Sequence, residues 1–352
     1  MKRKNGHWHA ASRRRIGADA PRRSTRRDLL IALGAGALTV PLALPLSSLA
    51  QLAGKVWRIG ILEQVSPNLN IPYMEALRAG LRELGYLEGN NLAIEYRSSD
   101  GHAERFDVLA KELLDLKIDL MVTRGTPATQ AAKKATATVP IVMTVVGDPL
   151  LSVASLAHPG GNITGLSSLS TGLIGKRVEL LKEIFPSLAN IYVLLNPENP
   201  NLVLEWNEIN DAAKAMGVRT QRLDIRKSEE ITKTLEQLKL IRGSALMVLG
   251  NAILQANYKL INNLAVKRKL PSVYPSKEFA EGGGLMAYGP SLTDLYRGTA
   301  IYIDKIFKGS KPGDLPVEQP IRFELVVNLQ TAKTLGLKIP QSILVRADKV
   351  IE

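Results

Sequence analysis

Residues 118–148 read IDLMVTRGTPATQAAKKATATVPIVMTVVGD. Two apolar runs, Ile118 to Val122 and Ile141 to Val146, flank a segment that opens on Gly125-Thr126-Pro127 and continues through Ala128 to Lys133. Neither run alternates polar with apolar residues, so each is expected to be a strand covered by helices on both faces, as in a parallel sheet. Thr126 is expected as the N-cap of the intervening helix. Pro127 then takes its first position, where a missing N–H costs nothing. The unit is a strand, a helix and a second strand, which predicts a right-handed crossover in an α/β fold.

The same alternation extends in both directions. Ile59-Gly60-Ile61-Leu62, Ile191 to Leu195 and Ala245 to Leu249 are further continuous apolar runs. Between them, Tyr73, Leu77, Leu81 and Leu84 recur at helical spacing until Gly85, as do Phe106, Leu109 and Leu113, and Ile174, Val178, Leu181 and Phe185 before Pro186. Three stretches rich in turn formers interrupt the pattern: 158–172, Tyr288-Gly289-Pro290, and Gly309 to Pro320. After the second, Ser291 is expected to cap a helix that buries Leu295, Thr299, Tyr302, Ile303 and Ile306. Three breaks predict two doubly wound parallel-sheet lobes joined by three chain crossings at a hinge, with residues 55–165 and 288–312 in one lobe and 166–287 and 313–352 in the other. Two tandem domains joined once would carry similar punctuation.

Composition narrows the function classes. The chain has 352 residues, 46 of them Lys or Arg and 33 Asp or Glu, for a net charge of +13. Residues 1–54 hold ten basic and two acidic residues, so the remaining 36 and 31 leave only +5. No nucleic-acid footprint is left in that remainder. Cysteine is absent, which excludes disulfides, thiolate chemistry, Cys-ligated metal and a lipobox anchor. The basic head, with Arg26-Arg27, precedes an apolar run from Leu29 to Leu46 and a small-x-small pattern at Ser48-Leu49-Ala50. That order predicts a twin-arginine-like export signal over residues 1–50, cleaved after Ala50. An uncleaved anchor helix is the alternative, against which Pro41 and Pro45 count.

Several segments together resemble the substrate-binding proteins of ABC importers, in the family that includes aromatic-amino-acid binders. They are YMEALRAGLRELGYLEG at 73–89, Gly125-Thr126-Pro127-Ala128, Val139-Pro140-Ile141-Val142, Gly147-Asp148-Pro149, PGGNITG at 159–165, and Leu315-Pro316-Val317-Glu318-Gln319-Pro320. The resemblance covers residues 56–352 and implies a type I periplasmic-binding fold, a small-molecule ligand and an inner-membrane ABC permease as partner. It also implies a periplasmic location. At Gly250-Asn251-Ala252 the sequence departs from relatives that often carry an Asp-Pro pair, which leaves that position outside what the resemblance implies.

Candidate ligand contacts follow the predicted strand ends, where α/β sheets place their sites. In the first lobe these are Gln64, Ser66, Thr126 and Asp148. The helix start at Thr126 suits a carboxylate. Asp148 suits an ammonium, although Asp148-Pro149 equally reads as a turn start. The lobe junction offers Ser167, Ser168 and Ser170. The second lobe offers Asn196, Asn199, Asn251, Tyr274 and Tyr288, the tyrosines as stacking surfaces and each with a turn or core explanation beside it. The ligand is expected to be an amino acid or another small carboxylate, and aromatic if it follows the resemblance. Catalysis, a cofactor and a metal are not expected. Gly-x-Ser-x-Gly, Walker and His-Glu-x-x-His patterns are missing, and Gly282-Gly283-Gly284 precedes a strand instead of following one. A monomer is expected, with a ligand-sensing regulatory module of the same fold as the alternative to transport.

Overall fold

A computed structural model describes residues 54–352, so the export signal expected over 1–50 lies outside the described residues. The described residues form one compact unit that contains both lobes. The first lobe holds a five-stranded parallel sheet in the order β2-β1-β3-β4-β5. Its strands are β1 (Trp57–Glu63), β2 (Leu92–Ser98), β3 (Leu120–Arg124), β4 (Ile141–Val146) and β5 (Ile163–Ser167). The second lobe holds β6 (Asn190–Leu195), β7 (Arg219–Asp224), β8 (Ser244–Val248), β9 (Ser272–Tyr274), β10 (Met286–Pro290), β11 (Phe323–Asn328) and β12 (Lys349–Ile351). They run in the order β12-β11-β10-β9-β8-β6-β7, with β10 and β11 antiparallel and the other pairs parallel.

The apolar strands are continuous because both faces are buried. Ile59, Ile61, Leu120 and Val122 face α1 (Ile71–Glu83) and α10 (Leu292–Phe307), whereas Leu62, Met121, Ile141 and Met143 face α2 (Phe106–Asp115) and α3 (Gly125–Ala135). In the second lobe Ile191, Val193 and Leu195 pack toward α4 (Ile174–Ile184) and α5 (Asn201–Ala215). Tyr192, Leu194, Leu246 and Val248 pack on the other face, with α6 (Glu230–Glu236) and α8 (Tyr258–Lys267). Between β8 and α8 lies the short α7 (Ala252–Ala256), and α9 (Lys277–Glu281) follows β9.

The chain crosses between lobes three times. It leaves the first lobe after β5, returns from β10 through Ser291 into α10, and crosses again before β11. Ser291 does cap α10, its Oγ accepting from the Asp294 amide at 3.3 Å. The second crossing begins beyond Pro290, because Tyr288 to Pro290 still pair with β11. The turn-rich stretch 158–172 contains a whole strand, β5, whose Gly165 is pressed against β4: a Cβ there would lie 2.0 Å from the Met143 carbonyl oxygen. Among the described residues no helix is long and apolar enough to cross a membrane.

Candidate functional site

The carboxyl ends of β1, β3 and β4 in one lobe face those of β6, β8 and β9 in the other, across a cavity of about 760 Å³ that includes its solvent-open mouth. Six of the twelve expected residues line it: Gln64, Thr126, Ser168, Ser170, Asn199 and Asn251. Thr126 is not the helix cap, because α3 begins at Gly125, with Arg124 in the extended cap position and Pro127 one residue beyond Thr126. Thr126 is 1% exposed and its hydroxyl has no hydrogen-bond partner, so a polar atom in the helix's first turn is left for a ligand. Ser168 donates to the Val146 carbonyl. Asn199 and Asn251 each accept from backbone amides of the turn or helix that follows, at Asn201 and Ile253.

The other six stand elsewhere, among them Ser167, whose hydroxyl donates to the Val146 carbonyl at 3.1 Å. Asp148 turns away and accepts from the Leu150 amide at 2.9 Å, the turn-start role; its neighbour Gly147 is the residue in the wall. Ser66 precedes a short 3₁₀ turn at Pro67–Leu69 and makes no side-chain cap bond. The Oδ1 of Asn196 accepts from the Glu198 amide. Tyr274 is fully buried inside the second lobe, stacked on Phe279 at 4.7 Å, because it is the last residue of β9 and points into the sheet's covered face. Pro275 and Ser276, just past the strand end, line the cavity instead. Tyr288 packs against the second lobe's core and Phe323; its backbone carbonyl accepts from Arg177 Nε at 2.8 Å.

Two arginines that were not expected dominate the site. Arg124, at the end of β3, is 7% exposed and donates to Glu63 Oε1 at 3.2 Å and Asn70 Oδ1 at 3.3 Å. Glu63 also accepts from the Tyr296 hydroxyl at 2.8 Å and Asn70 Nδ2 at 3.0 Å. Burial pushes the Glu63 carboxyl up, and the Arg124 charge works against that rise. The Arg124 guanidinium also lies 5.3 Å from the Tyr73 ring centroid, within cation–π range. From the opposite lobe Gln255 closes on this cluster, accepting from Arg124 and donating to the Tyr73 hydroxyl. Asn251 donates across the cleft to Gln64 at 3.4 Å. The lobes are therefore closed on each other.

Arg177 lies on α4 and is fully buried, yet it lines the cavity. Its Nε is held by Tyr288, but Nη1 and Nη2 have no hydrogen-bond partner. Burial lowers its pKa to about 10, opposed by the field of Glu205. Glu205, on α5, is itself pushed up to about 7 by burial, although Ser170 and Asn201 donate to its Oε1 at 2.5 and 2.6 Å. Desolvation outweighs attraction for both groups, the expected outcome when a buried charge lacks full hydrogen bonding. An unpaired guanidinium fork in a closed cavity matches the planar, bidentate geometry of a carboxylate.

The signal for Arg177 and Glu205 was in the helical spacing. Arg177 falls between Ile174 and Leu181 on the apolar stripe of α4, and Glu205 between Leu202 and Ile209 on that of α5. A charge on a buried stripe demands a partner. Val145 is a further irregularity in the wall: its φ of +54° is rare for a β-branched residue, and the β4–β5 register shifts beside it. Among the described residues no group of three or more His, Asp or Glu is placed to hold a metal ion.

The tyrosine-binding protein of Clostridioides difficile is 28% identical over 284 residues, covering 80% of this chain and 81% of that one. A conserved domain protein of Vibrio cholerae superposes with a TM-score of 0.77 at 28% identity, covering 84% of this chain and 100% of the other. An ABC domain from Streptococcus pneumonia in complex with L-Trp gives 0.74, also at 28% identity, over 84% and 99% of the two chains. The model of the ABC transporter substrate binding protein family matches residues 58–351, and with two lobes closed on a ligand-sized cavity the chain belongs to that family.

Proposed function

We propose that this chain is the periplasmic binding component of an ABC importer, taking a small carboxylate, an amino acid or another carboxylic acid, into the interlobe cavity and delivering it to an inner-membrane permease. The observation that carries the ligand class is Arg177, buried in the cavity wall with both terminal nitrogens unpartnered. A carboxylate accepting from both would relieve the desolvation of the guanidinium, and the unpartnered Thr126 hydroxyl in the same cavity wall offers a further donor. Ligand contact with both lobes favours the closed form, which is the form a permease would distinguish from the empty one. The tyrosine and tryptophan named for the two relatives are consistent with a carboxylate-bearing ligand.

Thermal melts and small-angle scattering with a panel of amino acids, aryl and alkyl carboxylic acids and their amides test this reading. A carboxylate at a hundred times its Kd is expected to stabilise the protein by about 2.7 kcal/mol and to hold it compact. Amides that bind as well as the matching acids would sink it.

A further inference from the structure

We infer that the ligand is a carboxylate with an apolar body and no ammonium group, so that the site selects against amino acids; this rests on the carboxylate reading above and narrows it. The cavity wall contains two guanidinium groups, Arg124 and Arg177, one from each lobe, and no Asp or Glu. The first turn of α3 adds the positive end of a helix dipole at Gly125 and Thr126. Every fixed charge facing the ligand is thus positive.

The nearby carboxylates stand behind the wall, although Glu205 and Glu278 each keep one buried oxygen without a hydrogen-bond partner. Glu63 is held by Arg124, Tyr296 and Asn70. Glu205 sits behind Ser170 and Asn201, which donate to it and themselves line the cavity. Glu278 lies against the Tyr73 hydroxyl. Asp148, which could have met an ammonium from the end of β4, is turned to the Leu150 amide. An α-ammonium adjacent to a carboxylate on Arg177 would sit close to that cation with no carboxylate in the wall to receive it, and in a closed cavity such repulsion is weakly screened. Phe106, Pro127, Val145, Pro290 and Leu292 supply apolar wall for the rest of the molecule.

Isothermal calorimetry on the unaltered protein with matched pairs reads this directly: 3-phenylpropionate against L-phenylalanine, and 3-(4-hydroxyphenyl)propionate against L-tyrosine. Each acid without the amino group is expected to bind at least tenfold tighter than its amino-acid partner, and 3-phenylpropionamide to lose that affinity. Equal or tighter binding of the amino acids overturns the inference and leaves the carboxylate reading standing, with the unpartnered Glu205 Oε2 the first candidate ammonium acceptor. Amide binding as tight as the acid, or no binding by any member of either pair, overturns both.

Discussion

The two arginines of the cavity differ in one respect, which is whether the protein has already used their hydrogen bonds. Arg124 in the first lobe donates to Glu63, Asn70 and, across the cleft, Gln255. Arg177 in the second lobe has only Tyr288 on its Nε, and its fork is unpartnered. Both are buried and both face the same space. Arg124 is a structural charge that also shapes the wall, whereas Arg177 is held at a cost to stability that only a ligand offsets. A fold that keeps an unsatisfied buried cation has been selected for something besides stability.

Removing Arg124 should break the comparison most forcefully. Arg124→Met leaves Glu63 buried with no counter-charge, a loss of roughly 3–5 kcal/mol and a fall in melting temperature of roughly 10 °C. Arg177→Met removes a buried charge whose fork makes no hydrogen bond but also loses the Glu205 attraction and the Tyr288 bond, so its ligand-free melting temperature should fall much less than that of Arg124→Met. Differential scanning calorimetry of both variants without ligand decides the point. If the two destabilise equally, the distinction between a used and an unused arginine is wrong.

Glu205 sharpens the same contrast through pH. Its folded pKa of about 7 lies above the ordinary 4.5, so between those values the folded state holds more protons than the unfolded one. Stability from this group is therefore full below about pH 4.5 and is lost as pH rises toward 7. Glu205→Gln keeps an acceptor for Ser170 and Asn201 without the charge. Relative to the original protein it should gain stability from pH 5 to pH 8, by an amount on the order of 3 kcal/mol, and then level off. Losing the attraction to Arg177 would add an offset to that curve, not a slope. Denaturant titrations of both proteins across this range, giving a difference that does not vary with pH, would sink the assignment.

Much of the fold could be read from residues alone because burial on both faces of a parallel sheet leaves a direct mark on composition. Ile59 to Leu62, Ile141 to Val146 and Ile191 to Leu195 are strands for that reason. The edge strand β7, RTQRLD, carries no such mark because most of its side chains meet solvent. β5 was hidden among turn formers, since close approach to β4 requires Gly165. At the cavity, residues just past strand ends are legible as wall, and Gln64, Thr126 and Asn251 take that place. That rule fails by one residue at Gly147 and by two at Ser276, because strand register decides which side chain leaves the sheet and which enters it. Arg124 carries no such mark in the sequence, because a lone cation at a strand end reads as solvated unless its buried partner Glu63, 61 residues away, is brought beside it. Arg177 and Glu205 are legible only as charges that interrupt the apolar stripes of α4 and α5.

Closure itself separates the lobes' contributions at a single backbone position. Gly147, at the end of β4, approaches the second lobe so closely that a Cβ would fall 2.0 Å from Asn201 Nδ2 and 2.7 Å from Ser170 Oγ. Asn201 cannot simply rotate away, because its amide is bonded to the buried Glu205 at 2.6 Å. Gly147→Ala should therefore leave each lobe intact and oppose only their approach. The ligand-free melting temperature is expected to stay within about 1 °C, while affinity for the best carboxylate falls about tenfold, which is roughly 1.4 kcal/mol charged to the closed state. Scattering should show the variant more expanded than the original at the same ligand concentration. An unchanged affinity would mean that the close packing of Gly147 on Asn201 is not part of the ligand-bound form, and that the fork of Arg177 meets its ligand in a more open cleft.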